Sequence, residues 1–308
     1  MKVSAISEIN SKIKTDTEKF ILNSEKAYSR QIEKCAKKIS EHKDVKPLVF
    51  LSGPSGSGKT TSAHRISDIL RTEYNTDSAV ISMDNYFRAN SSENMPRLEN
   101  GEVDLESPYC VNIPLFREHM KYMNECHEVA MPVFNFKKQA PDGSIPFCRK
   151  PEQVIIVEGI HALNPEVTGE SIHDFSTNIY VSVRTRLENS EREYLHPSKI
   201  RLLRRLIRDT KFRGREIPDV FDYFESVSRG EELYIMPFKN RADIDIDTFH
   251  EYETSVYKGL IYDNLLKLGD TMNSNRNYNV IVKFLKELET VGTELVTENS
   301  MIKEFIGD

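Results

Sequence analysis

The sequence predicts an α/β fold built on a mostly parallel sheet of five strands, and three observations carry that expectation. Short, largely apolar runs recur at residues 48–51, 79–83, 154–157 and 178–183, the pattern of strands buried on both faces, and residues 242–247 read as a fifth strand. Longer segments with helical spacing separate several of these runs, the alternation that produces parallel strands with covering helices. The first run stops abruptly at a glycine-rich stretch, and a segment with helical character follows it.

That stretch, Gly53-Pro54-Ser55-Gly56-Ser57-Gly58-Lys59-Thr60, has the Walker A spacing of a glycine, four residues, then Gly-Lys-Thr. In such a loop the backbone N–H groups cradle phosphates, the lysine reaches the β- and γ-phosphates and the hydroxyl binds Mg²⁺. Glycine permits the positive φ and close anion approach that the cradle needs, and the helix opening near Lys59 adds the positive end of its dipole. Gly53, Ser55, Gly56, Ser57, Gly58, Lys59, Thr60 and Thr61 are therefore the expected nucleoside-triphosphate contacts.

Taken in order, residues 1–45 are polar, yet Tyr28, Ile32, Cys35, Ala36 and Ile39 fall at helical spacing. They predict an amphipathic helical extension laid on the main body. The second strand ends at Asp84-Asn85-Tyr86-Phe87, which puts Asp84 at the same carboxyl edge of the sheet as the phosphate loop. Residues 88–109 read as loop. Asn112 reads as the N-cap of a helix reaching about Asn124, with Pro114 in its first turn. Residues 128–136 and 144–149 alternate weakly around Ala140-Pro141-Asp142-Gly143 and predict a hairpin turning there, with Phe134, Phe136 and Phe147 as packing or as a pocket wall.

The third strand ends in Glu158-Gly159-Ile160-His161, so Glu158 takes the position of a Mg²⁺-associated carboxylate. Residues 196–215, HPSKIRLLRRLIRDTKFRGR, hold eight Lys or Arg against one Asp. On a helix, Ile200, Leu203, Leu206 and Ile207 share one face and Arg201, Arg204, Arg205 and Arg208 another. Arginines there could close over a nucleotide as a lid, spanning about 196–236, that neutralises a phosphoryl group in transit. Two amphipathic helices follow at 252–268 and 278–290, and the tail 291–308 reads as loosely held.

Composition narrows the function. The 308 residues are 38% hydrophobic with a net charge of −6, which disfavours a general nucleic-acid binder. No apolar run is long enough to span a bilayer, and the first residues lack the apolar stretch of a signal peptide, so a cytoplasmic location is expected. Cys35, Cys110, Cys126 and Cys148 are widely spaced without a CxxC pair, and four reduced thiols are expected.

GPSGSGKTT, SMDNYF, DLESPY, IIVEGIHALNP, RLLRRLIRDTKFRGR and SVSRGEELYIMPFKNRADI, in that order, resemble the uridine kinase and phosphoribulokinase family of P-loop kinases. The resemblance covers about residues 46–268. It is nearest to the bacterial branch in which such a kinase follows a domain similar to the threonyl-tRNA synthetase N-terminus, of which residues 1–45 would keep at most a trailing helix. It implies the P-loop NTPase fold in a kinase domain at 46–290, with a β-hairpin and an arginine lid. The implied reaction is transfer of the γ-phosphoryl group of ATP, with Mg²⁺, to a primary hydroxyl of a small-molecule substrate. Matched position by position, Asp84 is the catalytic carboxylate, Lys59 the phosphate lysine, and Thr60 with Glu158 and Asp84 the Mg²⁺ site. Arg205, Arg208, Arg213 and Arg215 match lid arginines, of which Arg208 and Arg213 are assigned to catalysis. Glu106 stands where uridine kinases carry a ribose-gripping Asp. Tyr86, Phe134, Gln139 and Tyr223 complete the expected acceptor pocket, with the base stacked on Phe134 or Tyr223. A nucleoside acceptor is expected, with phosphoribulokinase activity on ribulose 5-phosphate, or an ATP-binding regulatory module, as alternatives. The resemblance also implies a homo-oligomer.

Overall fold

A computed structural model describes residues 2–307. The chain enters through a short strand, β1 (Lys2–Ala5), and a 37-residue helix, α1 (Ile6–His42), interrupted by the non-helical backbone of Asp16. Tyr28, Ile32, Cys35, Ala36 and Ile39 form its buried stripe, packed along the helix that follows the phosphate loop. Next come β2 (Leu48–Ser52), α2 (Lys59–Glu73) and β3 (Ser78–Ser82). Asn112 caps α3 (Ile113–Asn124), its Oδ1 accepting from the Leu115 N–H, with a proline in the first turn. The hairpin β4 (Glu128–Asn135) and β5 (Ala140–Cys148), then β6 (Val154–Glu158), the single turn α4 (Pro165–Thr168) and β7 (Ser176–Ser182) follow. The remaining elements are β8 (Thr185–Glu188), β9 (Tyr194–Leu195), α5 (Pro197–Arg213), α6 (Ile217–Tyr234), β10 (Ile244–Asp247), α7 (Glu253–Met272), α8 (Arg276–Glu287) and α9 (Lys303–Ile306).

The five predicted strands form one sheet in the order β10-β7-β2-β6-β3, with every neighbouring pair parallel. Every residue of β2, β6 and β7 is buried, which is why these strands read as unbroken apolar runs rather than alternating ones. Parallel pairing brings the carboxyl ends of β2, β6 and β3 to one edge, and with them the phosphate loop, Glu158 and Asp84. A small second sheet, β1-β8-β9, was not foreseen, since four- and two-residue strands leave too little periodicity to read.

Two expectations need correction. The hairpin does not turn at Ala140-Pro141-Asp142-Gly143. Those residues belong to β5, and the chain reverses between Asn135 and Ala140, which pair directly. The register shifts between Pro132 and Phe134 on one strand and between Ser144 and Pro141 on the other, so the Pro-Asp-Gly signal marks a bulge within the ladder. The tail is not loosely held either: Val291, Val296, Met301, Ile302, Phe305 and Ile306 are buried in the same cluster as α1, α2, α5 and α7.

Candidate active site

The phosphate loop is gripped from outside by the helix expected to be a lid. The Arg201 Nη1 donates to the Ser55 carbonyl at 3.0 Å, Arg204 Nη1 to the Gly56 carbonyl at 3.1 Å, and Arg205 Nη1 to the Ser55 hydroxyl at 2.5 Å. Thr248 Oγ1 donates to the Ser57 carbonyl at 2.6 Å. Three of these four bonds take up loop carbonyls, the side of the peptide that an anion does not need. Gly58 has φ +85°, and a Cβ there would stand 2.8 Å from Met301 Sδ, so any other residue would be strained at the last position before α2. Lys59 opens α2, and its Nζ lies 3.3 Å from the Pro54 carbonyl.

The arginines therefore divide in a way their spacing did not reveal. Arg204 is wholly buried, making two bonds to the equally buried Glu253 at 2.8 and 2.9 Å. Those bonds and the surrounding negative groups hold its pKa above the usual range, against burial. Arg201 pairs with Glu231. Both are clamps on the loop, as buried guanidinium forks commonly are. Arg208, Arg213 and Arg215 instead line a cleft of about 920 Å³ together with the phosphate loop. Asp209, the single acid in the basic run, is fully buried between Arg205, Arg208 and Arg213 at 3.3, 2.9 and 3.4 Å. The sequence shows it as an isolated acid among eight cations, and its three partners give it a role that the count alone does not.

The acids meet in the same cleft. Asp84 lies in a single 3₁₀ turn after β3, its N–H 3.4 Å from the Ser82 hydroxyl. Burial, and next the Glu158 charge, push its carboxyl up to about 6, with Lys59 and Arg213 opposing. Glu106 is 8% exposed, and burial raises it to about 7 against the pull of Arg205 and Lys59. Its backbone is positioned by Asp104, which accepts from the Glu106 N–H at 3.3 Å and pairs with Arg229 of α6 at 2.6 Å. Gly230 makes room for it: a Cβ there would fall 2.2 Å from the Glu106 Cβ. His161, buried beside them, is held neutral by burial, which lowers it to about 3.

Thr60, Asp84 and Glu158 face the cleft together and offer only hard oxygen donors. Two carboxylates whose charges oppose each other fit Mg²⁺, which uses one or two carboxylates and fills its remaining positions with water and phosphate oxygens. Among the described residues no group of three or more His, Cys, Asp or Glu gathers as an all-protein metal cage.

Ser55, Gly56, Gly58, Lys59, Thr60, Asp84, Glu106, Gln139, Glu158, Arg208, Arg213 and Arg215 are thus brought to one cavity. Gly53 and Ser57 are buried behind it, and Thr61 is bonded to Glu304. Four of the expected acceptor residues stand elsewhere. The Tyr86 ring is buried with its hydroxyl 3.1 Å from His119 Nδ1. Phe134 is 7% exposed and packed edge-on between Phe87 and Phe136. Tyr223 carries the guanidinium groups of Arg205 and Arg215 over its ring, 5.3 and 4.6 Å from the ring centre, and it is not among the residues that line the cleft. Arg205 holds the loop rather than the cleft. The cleft wall is instead Phe87, Leu105 and Phe136. The Gln139 amide is already engaged, accepting from Asn90 and donating to the Phe136 carbonyl.

Residues 48–255 match the family described as Phosphoribulokinase / Uridine kinase. The chain belongs to that family. Curated uridine kinases are similar to it: 30% identical over 214 residues in Borrelia garinii, covering 68% of this chain and 90% of the relative. The uridine kinase of Lactobacillus johnsonii is 27% identical over 210 residues, with the same coverage. A solved structure described as a possible uridine kinase from Bacillus stearothermophilus aligns with a TM-score of 0.48 and 18% identity, over 71% of this chain and 98% of that one. The protein is a phosphotransferase of a kinase family, with ATP as phosphoryl donor. Among the described residues, no helix is long and apolar enough to cross a membrane.

Proposed function

We propose that this kinase transfers the γ-phosphoryl group of ATP to the 5′-hydroxyl of a nucleoside. The observation that carries the reading is the pairing of the half-buried Asp84 and the buried Glu106 with an apolar wall in the cleft that holds the phosphate loop. Asp84 orients the acceptor hydroxyl and takes its proton, a task suited to a carboxylate raised to about 6. Glu106 accepts hydrogen bonds from the ribose diol, and Phe136, Phe87 and Leu105 form the surface on which the base lies. Lys59, Arg208 and Arg213 neutralise the phosphoryl oxygens. Mg²⁺ held by Thr60, Glu158 and Asp84 would supply further charge neutralisation at the β- and γ-oxygens.

The base surface is aromatic and aliphatic, and of the two polar side chains that the hairpin brings to the cleft, Lys137 and Gln139, the Gln139 amide is already bonded to Asn90 and to the Phe136 carbonyl. An apolar wall discriminates weakly between bases, whereas a polar edge reader leaves unpaired groups with the wrong one. The test is coupled turnover with uridine, cytidine, inosine, adenosine and ribulose 5-phosphate. The expected result is activity on several nucleosides, with kcat/KM varying by less than about a thousandfold among them. Turnover of ribulose 5-phosphate alone would replace the nucleoside reading with a sugar-phosphate one.

A further inference from the structure

Residues 300–307 lie beyond the region matched to the family, residues 48–255, yet they are built into the nucleotide cleft. Met301, Ile302, Phe305 and Ile306 are at most 2% exposed. The Phe305 ring lies 5.0 Å from the Arg204 guanidinium, and the Ile306 carbonyl accepts from Lys211 Nζ at 2.6 Å. The Ser300 hydroxyl bonds Glu25 and Tyr252. These contacts fix the backbone from three sides. Glu304 alone turns its carboxylate into the cleft, where Oε2 accepts from the Thr61 hydroxyl at 2.5 Å. Among the described residues no cation is paired with it.

The sheet order tells which end of a nucleotide would meet Glu304. Asp84 follows β3, the edge strand on one side of β2, and Glu158 ends β6 between them. Thr248 follows β10, the opposite edge strand, and its Cγ2 and Met301 Sδ are the two side chains over Gly58. A triphosphate on the loop that presents its γ-phosphoryl group to Asp84 must therefore carry its α-phosphate and nucleoside toward the β10 side. Glu304 and the half-exposed Phe212 line the cleft there.

We infer that the segment 300–307 forms a wall of the donor-nucleoside subsite, in which Glu304 accepts hydrogen bonds from the ribose hydroxyls of the donor. The inference rests on ATP being the donor and is independent of the acceptor's identity. A carboxylate is the strong acceptor for a vicinal diol, and a position beside Thr61, three residues into α2, is within reach of the sugar attached to a phosphate seated on the loop.

The test is equilibrium binding of ATP, 2′,3′-dideoxy-ATP and inorganic tripolyphosphate to the full chain, each with Mg²⁺. The wild type should bind dideoxy-ATP about tenfold more weakly than ATP, the effect of losing a hydrogen bond to a charged group. Glu304→Ala should bind ATP about tenfold more weakly, show no further loss with dideoxy-ATP, and bind tripolyphosphate as the wild type does. Glu304→Gln, which keeps the volume and one acceptor, should fall between, and it carries the test if the alanine variant folds poorly. Equal affinity of wild type and variants for ATP would overturn the inference by reducing Glu304 to a partner of Thr61. Tighter tripolyphosphate binding in the variants would overturn it too, by making the carboxylate a competitor of phosphate. Nucleoside turnover measured alongside separates these outcomes from failure of the proposed acceptor.

Discussion

Asp84 and Glu106 share a cleft, yet their environments give them different work. Asp84→Asn preserves shape and removes the proton acceptor, so turnover should fall by about a hundredfold or more with ATP affinity nearly unchanged, read from steady-state kinetics beside equilibrium binding. Glu106 is raised to about 7, above its unfolded value near 4.5. An acid raised in this way favours the folded state fully below that unfolded value, and the advantage is lost as pH rises through about 7. Acceptor binding has the opposite sense, because only the ionised carboxylate accepts from both hydroxyls of a diol. The acceptor KM should therefore fall as pH rises through about 7, and Glu106→Gln should flatten that dependence; a profile unchanged in the variant would remove Glu106 from the acceptor site. Both carboxylates were legible as residues of interest, because each ends an element or stands in a recognisable motif. Their environments were not: the raised Asp84 depends on Glu158, which β6 delivers from far along the chain, and the space for Glu106 depends on Gly230 of α6.

At the scale of the element, α5 combines two functions on one helix. Its inner arginines, Arg201 and Arg204, fix the phosphate loop, whereas Arg208 and Arg213 reach the cleft under the control of Asp209. Arg208→Ala should lower kcat more than it weakens ATP binding, since its charge is needed most when the phosphoryl group is in transit. Arg204→Met should instead cost about 3–5 kcal/mol of stability by leaving Glu253 buried without a counter-charge, measured by urea denaturation. A catalytic defect in Arg204→Met without loss of stability would contradict the division. The helix and its polarity were readable from periodicity, but its buried arginines were not, because their partners at Glu231, Thr248 and Glu253 lie on α6, in the loop after β10 and on α7. The hairpin failed differently. Pro-Asp-Gly is a strong local turn signal, and the ladder absorbed it as a bulge because the pairing of Asn135 with Ala140 already closes the strands.

For the molecule as a whole, the phosphate loop is enclosed by segments from both ends of the described chain. Tyr28 of α1 bonds Ser62 of α2 at 2.8 Å, Glu25 meets Ser300 and Tyr252, and Phe305 packs beneath Arg204. The central sheet was legible because burial on both faces leaves a local signature. The tail was not, since its apolar residues acquire meaning only against partners hundreds of positions earlier. Phe305→Ala should cost about 3–5 kcal/mol, the range for truncating a fully buried aromatic side chain, with a matching drop in the urea midpoint. A change below about 1 kcal/mol would mean that the tail rests on the core without contributing to it.

The contact of Thr61 with Glu304 spans 243 positions, and that distance is also a delay. At a synthesis rate of roughly 5–20 residues per second, about 12–50 s pass between translation of the phosphate loop and translation of the segment that seats against it. During that interval the nascent chain carries a Walker motif whose glycine corner lacks its cover of Met301. The triphosphate site is thus finished by the ribosome's late output, and a growing chain cannot use its nucleotide cradle in final form until the tail has emerged.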